Sequence, residues 1–266
     1  MAVLPLYGGG FRVAFSQLAI FYYGCGVVLH YVAPIIFRVR RIQSVERKLG
    51  EVTRDAFVSS GPIAVKAGVW VLVEWFHKSG FGKLYEGRPS SILDVLYLCL
   101  TIALLDILHD AWFYWTHRLM HWGPLYKHIH HIHHRTRAPT AFTGYSFHVI
   151  EALIVFSNEV LVCFLFPIHM GLHRIYHIAT TIIHEGGHAG YEIAPFVPTL
   201  FNMLFLVFRG GQKIPPKALN TVQHHDMHHC FPKNHFSLYF THWDRWLGTL
   251  HPTYDAKVVD FFSVKN

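Results

Sequence analysis

The stretch from Asp106 to His134, DILHDAWFYWTHRLMHWGPLYKHIHHIHH, limits what this chain can fold into more than any other part of it. Wound as an α-helix at ~100° per residue, it gathers Asp106, Asp110, Tyr114, His117 and His121 within an arc of roughly 80°. A helix that is otherwise apolar therefore carries one polar face. His117 and His121 stand one turn apart, at i and i+4, where two imidazoles reach a common metal ion. Gly123-Pro124 then stops the helix. His130, His133 and His134 follow with i, i+3 and i+4 spacing.

The pattern recurs downstream. His184 and His188 stand at i and i+4, and His225, His228 and His229 repeat the i, i+3, i+4 set. One such pair arises readily on any helix surface. Four groups in a chain with 23 histidines among 266 residues point to bound metal. The candidate ligands are His117, His121, His130, His133, His134, His184, His188, His225, His228 and His229. These ten imidazoles exceed one tetrahedral or octahedral shell, so two ions are expected. Imidazole serves zinc, copper, iron and nickel, and spacing leaves the element open. Two carboxylates are candidates for catalytic roles. Asp110 is placed to orient a ligand imidazole through its other nitrogen, and Glu151 lies three residues beyond His148.

Composition sets the class. Apolar residues make up 52% of the chain and charged ones 15%, the balance of a membrane protein. The net charge of +7 comes without a Lys/Arg-rich recognition stretch, which argues for basic loops beside membrane spans and against nucleic acid. Cys25, Cys99, Cys163 and Cys230 form no CxxC and read as reduced packing residues.

Met1 to Gly10 lacks a basic n-region and a cleavage site, so Phe11 to Phe37 is expected to stay as a membrane anchor. Six cations follow it, Arg38, Arg40, Arg41, Arg47, Lys48 and Arg54, and place that loop on the cytoplasmic side. Phe57 to Phe76 and Ile92 to Leu108 are further spans. Val149 to Pro167 and Ile168 to Ile183 are expected to form a hairpin that returns His184 and His188 to the other histidines. Phe196 to Phe208 is too short to cross and reads either as an interfacial piece or as a buried core helix. The expectation is an all-α, polytopic membrane helical bundle with about 4–5 membrane helices and a cytoplasmic histidine-rich cap. It forms a single membrane domain over 1–266, with anchor helices in 11–90 and a catalytic region in 91–251.

The stretches HDAWFYWTHRLMH, LYKHIHHIHHR, HAGYE and HHDMHH together resemble the fatty acid hydroxylase/sterol desaturase superfamily of membrane di-iron oxidases, over roughly Asp94 to His251. The closing HHDMHHCFPKNHFSLYFTHWDRWLGTL is most similar to its sterol-acting branch. The resemblance implies that His117, His121, His130, His133, His134, His188, His225, His228 and His229 are iron ligands, with His184 as a tenth. In HEGGHAGYE, Gly186-Gly187 weakens the helix between His184 and His188 by about 1 kcal/mol per glycine. The resemblance also implies two iron ions, O2 as co-substrate, and electrons from cytochrome b5 and its reductase. The setting it implies is the endoplasmic reticulum membrane, and the substrate a sterol or other bulky lipid that is hydroxylated. A lipid desaturase or aldehyde-processing oxidase would use the same metal box. Zinc transport or metal storage is the rival from another class, but transporters set their ligands near the bilayer midplane, and these lie beyond membrane exits.

Overall fold

The computed structural model describes residues 8–192, 199–210 and 213–263. The chain is an all-α membrane protein. Among the described residues, three helices are long and apolar enough to cross a bilayer: α1 (Gly10–Ile36), α2 (Glu51–Lys78) and α3 (Ile92–Met120). The helix α3 starts with a capping box, in which Ser91 Oγ accepts the Asp94 N–H and Asp94 Oδ2 accepts the Ser91 N–H. Its 29 residues exceed the ~20 that span a bilayer core, so one end projects beyond the membrane. His117 and His121 lie at that end.

After α4 (Gly123–His128) and a 3-10 turn (His130–Arg135), α5 (Val149–Leu165) and α6 (Met170–Gly187) form the expected hairpin. Its turn is pinned by a two-residue parallel pairing of Ile168–His169 with Leu84–Tyr85. Neither helix is a simple lipid-facing span. The 17 residues of α5 stand at the lower limit for a crossing and bury Glu151, Asn158 and Glu159, and α6 buries His173, Arg174, His177, His184 and Glu185. Length and composition therefore support three of the four or five crossings read from the apolar runs. One buried carboxylate of the hairpin is paired inside the bundle: Lys66 of α2 donates to Glu159 of α5 at 2.5 Å, and Trp70 donates to the same carboxylate at 3.2 Å.

The main core joins α1, α2 and α5 through Leu18, Tyr22, Ile63, Ala67, Trp70, Ala152 and Phe156. A second core packs Leu105 and Phe113 of α3 on Tyr176 and Ile183 of α6 and on Leu238, Tyr239 and Phe240. A turn at Ala141–Thr143, whose Phe142 joins the main core, presses on α6. Gly144 permits that approach, since a Cβ there would lie 2.9 Å from the His184 carbonyl.

Beyond α6 come α7 (Leu200–Phe208), α8 (Val222–Cys230), α9 (His242–Trp246) and α10 (Tyr254–Ser263). Residues 196–198 of the short apolar run lie outside the described residues. In α7 only Asn202 is buried, and Met203, Leu204, Leu206, Val207 and Phe208 are exposed. That pattern rules out the core-helix reading and suits an interfacial piece.

Candidate metal centre

Four elements converge on one point: the projecting end of α3, the 3-10 turn, the end of α6 and the helix α8. Nine of the ten expected histidines meet there in two clusters. His117, His121, His130, His134 and His228 form the first, and His133, His188, His225 and His229 the second. Within each cluster, one nitrogen per residue lies within 4.8 Å of all the others. The clusters cut across the sequence motifs. In α8 the i,i+4 pair His225 and His229 stays together, while His228 sits about 100° around the helix from His229 and joins the other cluster. The 3-10 turn divides in the same way, with His130 and His134 in the first cluster and His133 in the second.

His184 belongs to neither cluster. Its ring packs against Phe113 and Tyr145, both at 5.5 Å between centroids. Gly186-Gly187 lets α6 end early, and His188 at the C-cap turns back to donate from Nδ1 to the His184 carbonyl at 2.5 Å. His188 thereby swings its other nitrogen toward the clusters.

Six of the nine rings are oriented through Nδ1. His117 donates to Phe236 O (3.1 Å), His133 to Ser146 O (3.4 Å), His188 to His184 O, His228 to Asn234 O (2.6 Å) and His229 to Thr136 O (2.9 Å). His130 does the same to the Glu151 carboxylate at 2.8 Å. An oxygen that only accepts puts the proton on Nδ1 and leaves a lone pair on Nε2. Yet Nε2 of His133 and His188 face each other at 3.2 Å, and Nε2 of His134 and His228 lie 3.1 Å apart. In the first of these pairs both nitrogens offer lone pairs, which cannot hydrogen-bond each other. The His229 Nε2 is buried with no hydrogen-bond partner. A cation removes the conflict, because two nitrogens ~2.1 Å from one ion at a right angle lie ~3.0 Å apart. The donor set thus fits metal at both clusters.

Burial keeps these rings neutral, which is the ligating form. It lowers the His133 pKa to about 4 and pushes His134, His188, His225, His228 and His229 well below the usual imidazole value, with neighbouring histidines adding to the effect. A histidine whose pKa falls on folding stays unprotonated as the pH drops through ~6.5, and takes a proton only near its lowered value. Metal at the second cluster, which His133 serves, is therefore expected to stay bound down to about pH 5 and to leave toward pH 4, as read by elemental analysis after equilibrium dialysis. Half-release near pH 6.5 would show ordinary, solvated ligands instead.

Asp110 lies apart from both clusters. It touches no cluster imidazole; its Oδ1 accepts the backbone N–H groups of Leu238 (3.1 Å), Tyr239 (2.7 Å) and Phe240 (3.4 Å). Asp244 continues the same work, accepting from Phe236 N and Ser237 N at 2.9 Å each, from Thr249 Oγ1 at 2.6 Å and from His224 Nε2 at 3.1 Å. Glu192, in the HAGYE stretch, takes the Gln223 N–H at 2.7 Å and so fixes the start of α8. Asp55 is a residue that sequence reasoning passed over. It lies buried in α2 and accepts from Thr136 Oγ1 and Thr143 Oγ1 at 2.8 Å and from Ser146 Oγ at 3.2 Å. Its only advance signal is an acidic residue near the start of an apolar helix.

A narrow slot touches both clusters. His117 and His130 line it from the first, His133, His188 and His225 from the second, and Phe113, Met120, Phe147, Val155 and Glu151 form the walls. On another side, an open funnel bordered by Arg118, Trp122, Tyr126 and Lys233 reaches His121. His121 and His134, both of the first cluster, are the two cluster histidines that are not fully buried.

Residues 102–249, more than half of the chain and all ten candidate histidines, match the family model described as fatty acid hydroxylase. Curated relatives include lathosterol oxidase of Rattus norvegicus, 28% identical over 179 residues that cover 65% of this chain and 53% of that protein. The C-4 methylsterol oxidase erg25 of Schizosaccharomyces pombe is 31% identical over 153 residues, 56% of this chain and 46% of that protein. A putative methylsterol monooxygenase of Dictyostelium discoideum is 24% identical over 262 residues, 95% of this chain and 90% of its own. The chain spans about half the length of the first two. No solved structure matches.

Proposed function

The chain belongs to the fatty acid hydroxylase family, and from that premise we propose that it is an O2-dependent membrane oxidase that hydroxylates an unactivated C–H bond of a sterol or similarly bulky lipid. The observation that carries the reading is the slot: apolar walls on one side, and on the other imidazoles from both clusters aimed by fixed hydrogen bonds. The sterol-named relatives support the substrate class.

In this reading the nine clustered histidines hold two iron ions, which supply the oxidising power for C–H cleavage from O2 and two electrons. The chain's own residues do the rest. Phe113, Met120, Phe147 and Val155 give the centre an apolar side, and with only about 20 Å³ of free space there they would have to move apart to admit a substrate carbon. Glu151 holds His130 in one tautomer with one carboxylate oxygen, and the residue also lines the slot. His184 lines the same slot and serves as a wall, not a ligand. Asp110 acts at a distance, through the loop it anchors.

Electrons come from an external donor of the cytochrome b5 type, with its reductase. They enter at the first cluster, where His121 borders the open funnel. No acidic residue occurs between Asp110 and Glu151, while Arg118, Lys127, Arg135 and Arg137 do, so this face suits an acidic partner. The basic loop after α1 favours a cytoplasmic cap on an endoplasmic reticulum membrane.

Expression in a host that supplies cytochrome b5 and its reductase, followed by lipid mass spectrometry against a His133→Ala control, tests the proposal. A sterol product heavier by one oxygen, absent from the control, is expected. Loss of two hydrogens would mark a desaturase, and a changed fatty-acyl fraction with untouched sterols would overturn the substrate class.

A further inference from the structure

We propose that the two metal sites are held by two separate polar clamps, and that Asp55 is a positioning residue for the second site alone. The inference rests on the two-ion reading above. Its starting point is which carbonyl aims which ring. In the first cluster, His117 and His228 are aimed by the carbonyls of Phe236 and Asn234, which belong to one loop. Asp244 and Asp110 tie that loop down by accepting five backbone N–H groups from residues 236–240. In the second cluster, His133 and His229 are aimed by the carbonyls of Ser146 and Thr136. Those two residues begin and end a different segment, and the hydroxyls of both, with that of Thr143 between them, converge on Asp55.

Asp55 is 1% exposed, and Arg54 balances its charge at 2.9 Å. A buried carboxylate with four donors is rigid, because the three hydroxyls lose their acceptor if the segment shifts. Rigidity passes to the carbonyls of Thr136 and Ser146, and from them to the Nδ1–H groups that set ring rotation. A ring released from its carbonyl no longer keeps Nε2 on the ion, a change that typically weakens metal binding 10–100-fold. Among the described residues no hydrogen bond links the Asp55 segment to the Asp110–Asp244 loop. Each clamp should therefore fail without the other.

Cobalt(II) titration of metal-free protein in detergent, with bound metal counted by elemental analysis, tests the pairing. Wild type is expected to bind two ions. Asp55→Asn should bind one ion as wild type does and the other about 10–100-fold more weakly. Double variants identify which site is weakened. Adding Asp55→Asn to His225→Ala, which already lacks the second site, should cost no further metal, whereas adding it to His121→Ala should leave no tight site. If Asp55→Asn does not accumulate, Ser146→Ala and Thr136→Val each remove one strand of the same clamp and should weaken the second site alone. Equal weakening of both sites by Asp55→Asn, or none, would overturn the proposal. A wild type that binds one ion would overturn it together with the two-ion reading. Because the readout is bound cobalt, a fully loaded but inactive enzyme would count against lipid oxidation and leave the clamp pairing supported.

Discussion

Alanine at His121, His133 or His228 is expected to slow lipid turnover at least ~10³-fold, beyond the 10–100-fold typical of losing an outer partner of a ligand. Each substitution removes a nitrogen from one cluster, and a four- or five-histidine site has no spare donor of the same reach. The His228 ring also lies 3.1 Å, nitrogen to nitrogen, from both His121 and His134, so its loss opens the middle of the first cluster. His109→Ala provides the contrast. That ring stacks on Tyr239 at 5.3 Å between centroids and meets the Asn158 amide at 2.9 Å, outside both clusters. Its variant should keep its full metal content and lose less than tenfold in rate. Equal loss at all four positions would mean that cluster membership does not decide function.

The second large effect concerns stability. Asp110→Ala leaves three buried backbone N–H groups, those of Leu238, Tyr239 and Phe240, without their acceptor. An orphaned buried donor costs about 1–3 kcal/mol, so the sum reaches several kcal/mol against a total stability of about 5–15 kcal/mol. A fall of ~10 °C or more in the unfolding midpoint is expected in detergent. Trp115→Ala, on a half-exposed side chain of the same helix, should move the midpoint by no more than ~2 °C. A midpoint for Asp110→Ala as close to wild type as that would show that the loop is held by other means.

What could be read in advance followed from distance along the chain. The i,i+4 pairs His117/His121, His130/His134 and His225/His229 are local, and each stays within one cluster. The transfer of His133 and His228 to the opposite cluster depends on how four elements meet, which spacing does not encode. His184 matched the spacing rule, but its helix ends at Gly186-Gly187 and His188 turns away from it. Asp110 sits on the polar face of its helix, as the periodicity indicates, yet that face looks toward a loop about 130 residues later in the chain, not toward an imidazole. Asp55 gave almost no signal, since its partners lie more than 80 residues away. The interior role of the hairpin was hidden for a related reason. The apolar runs of α5 and α6 bury their polar residues against α2 and α3, so hydropathy alone treats an interior hairpin like a lipid-facing one.

The central claim is that this protein puts an oxygen atom from O2 into a lipid C–H bond, and isotope labelling of the lipid experiment tests it most directly. With the donor proteins supplied under ¹⁸O2, the new sterol product should carry the heavy oxygen and be absent from the His133→Ala control. Product oxygen drawn from water, or a product formed equally by the control, would contradict the account.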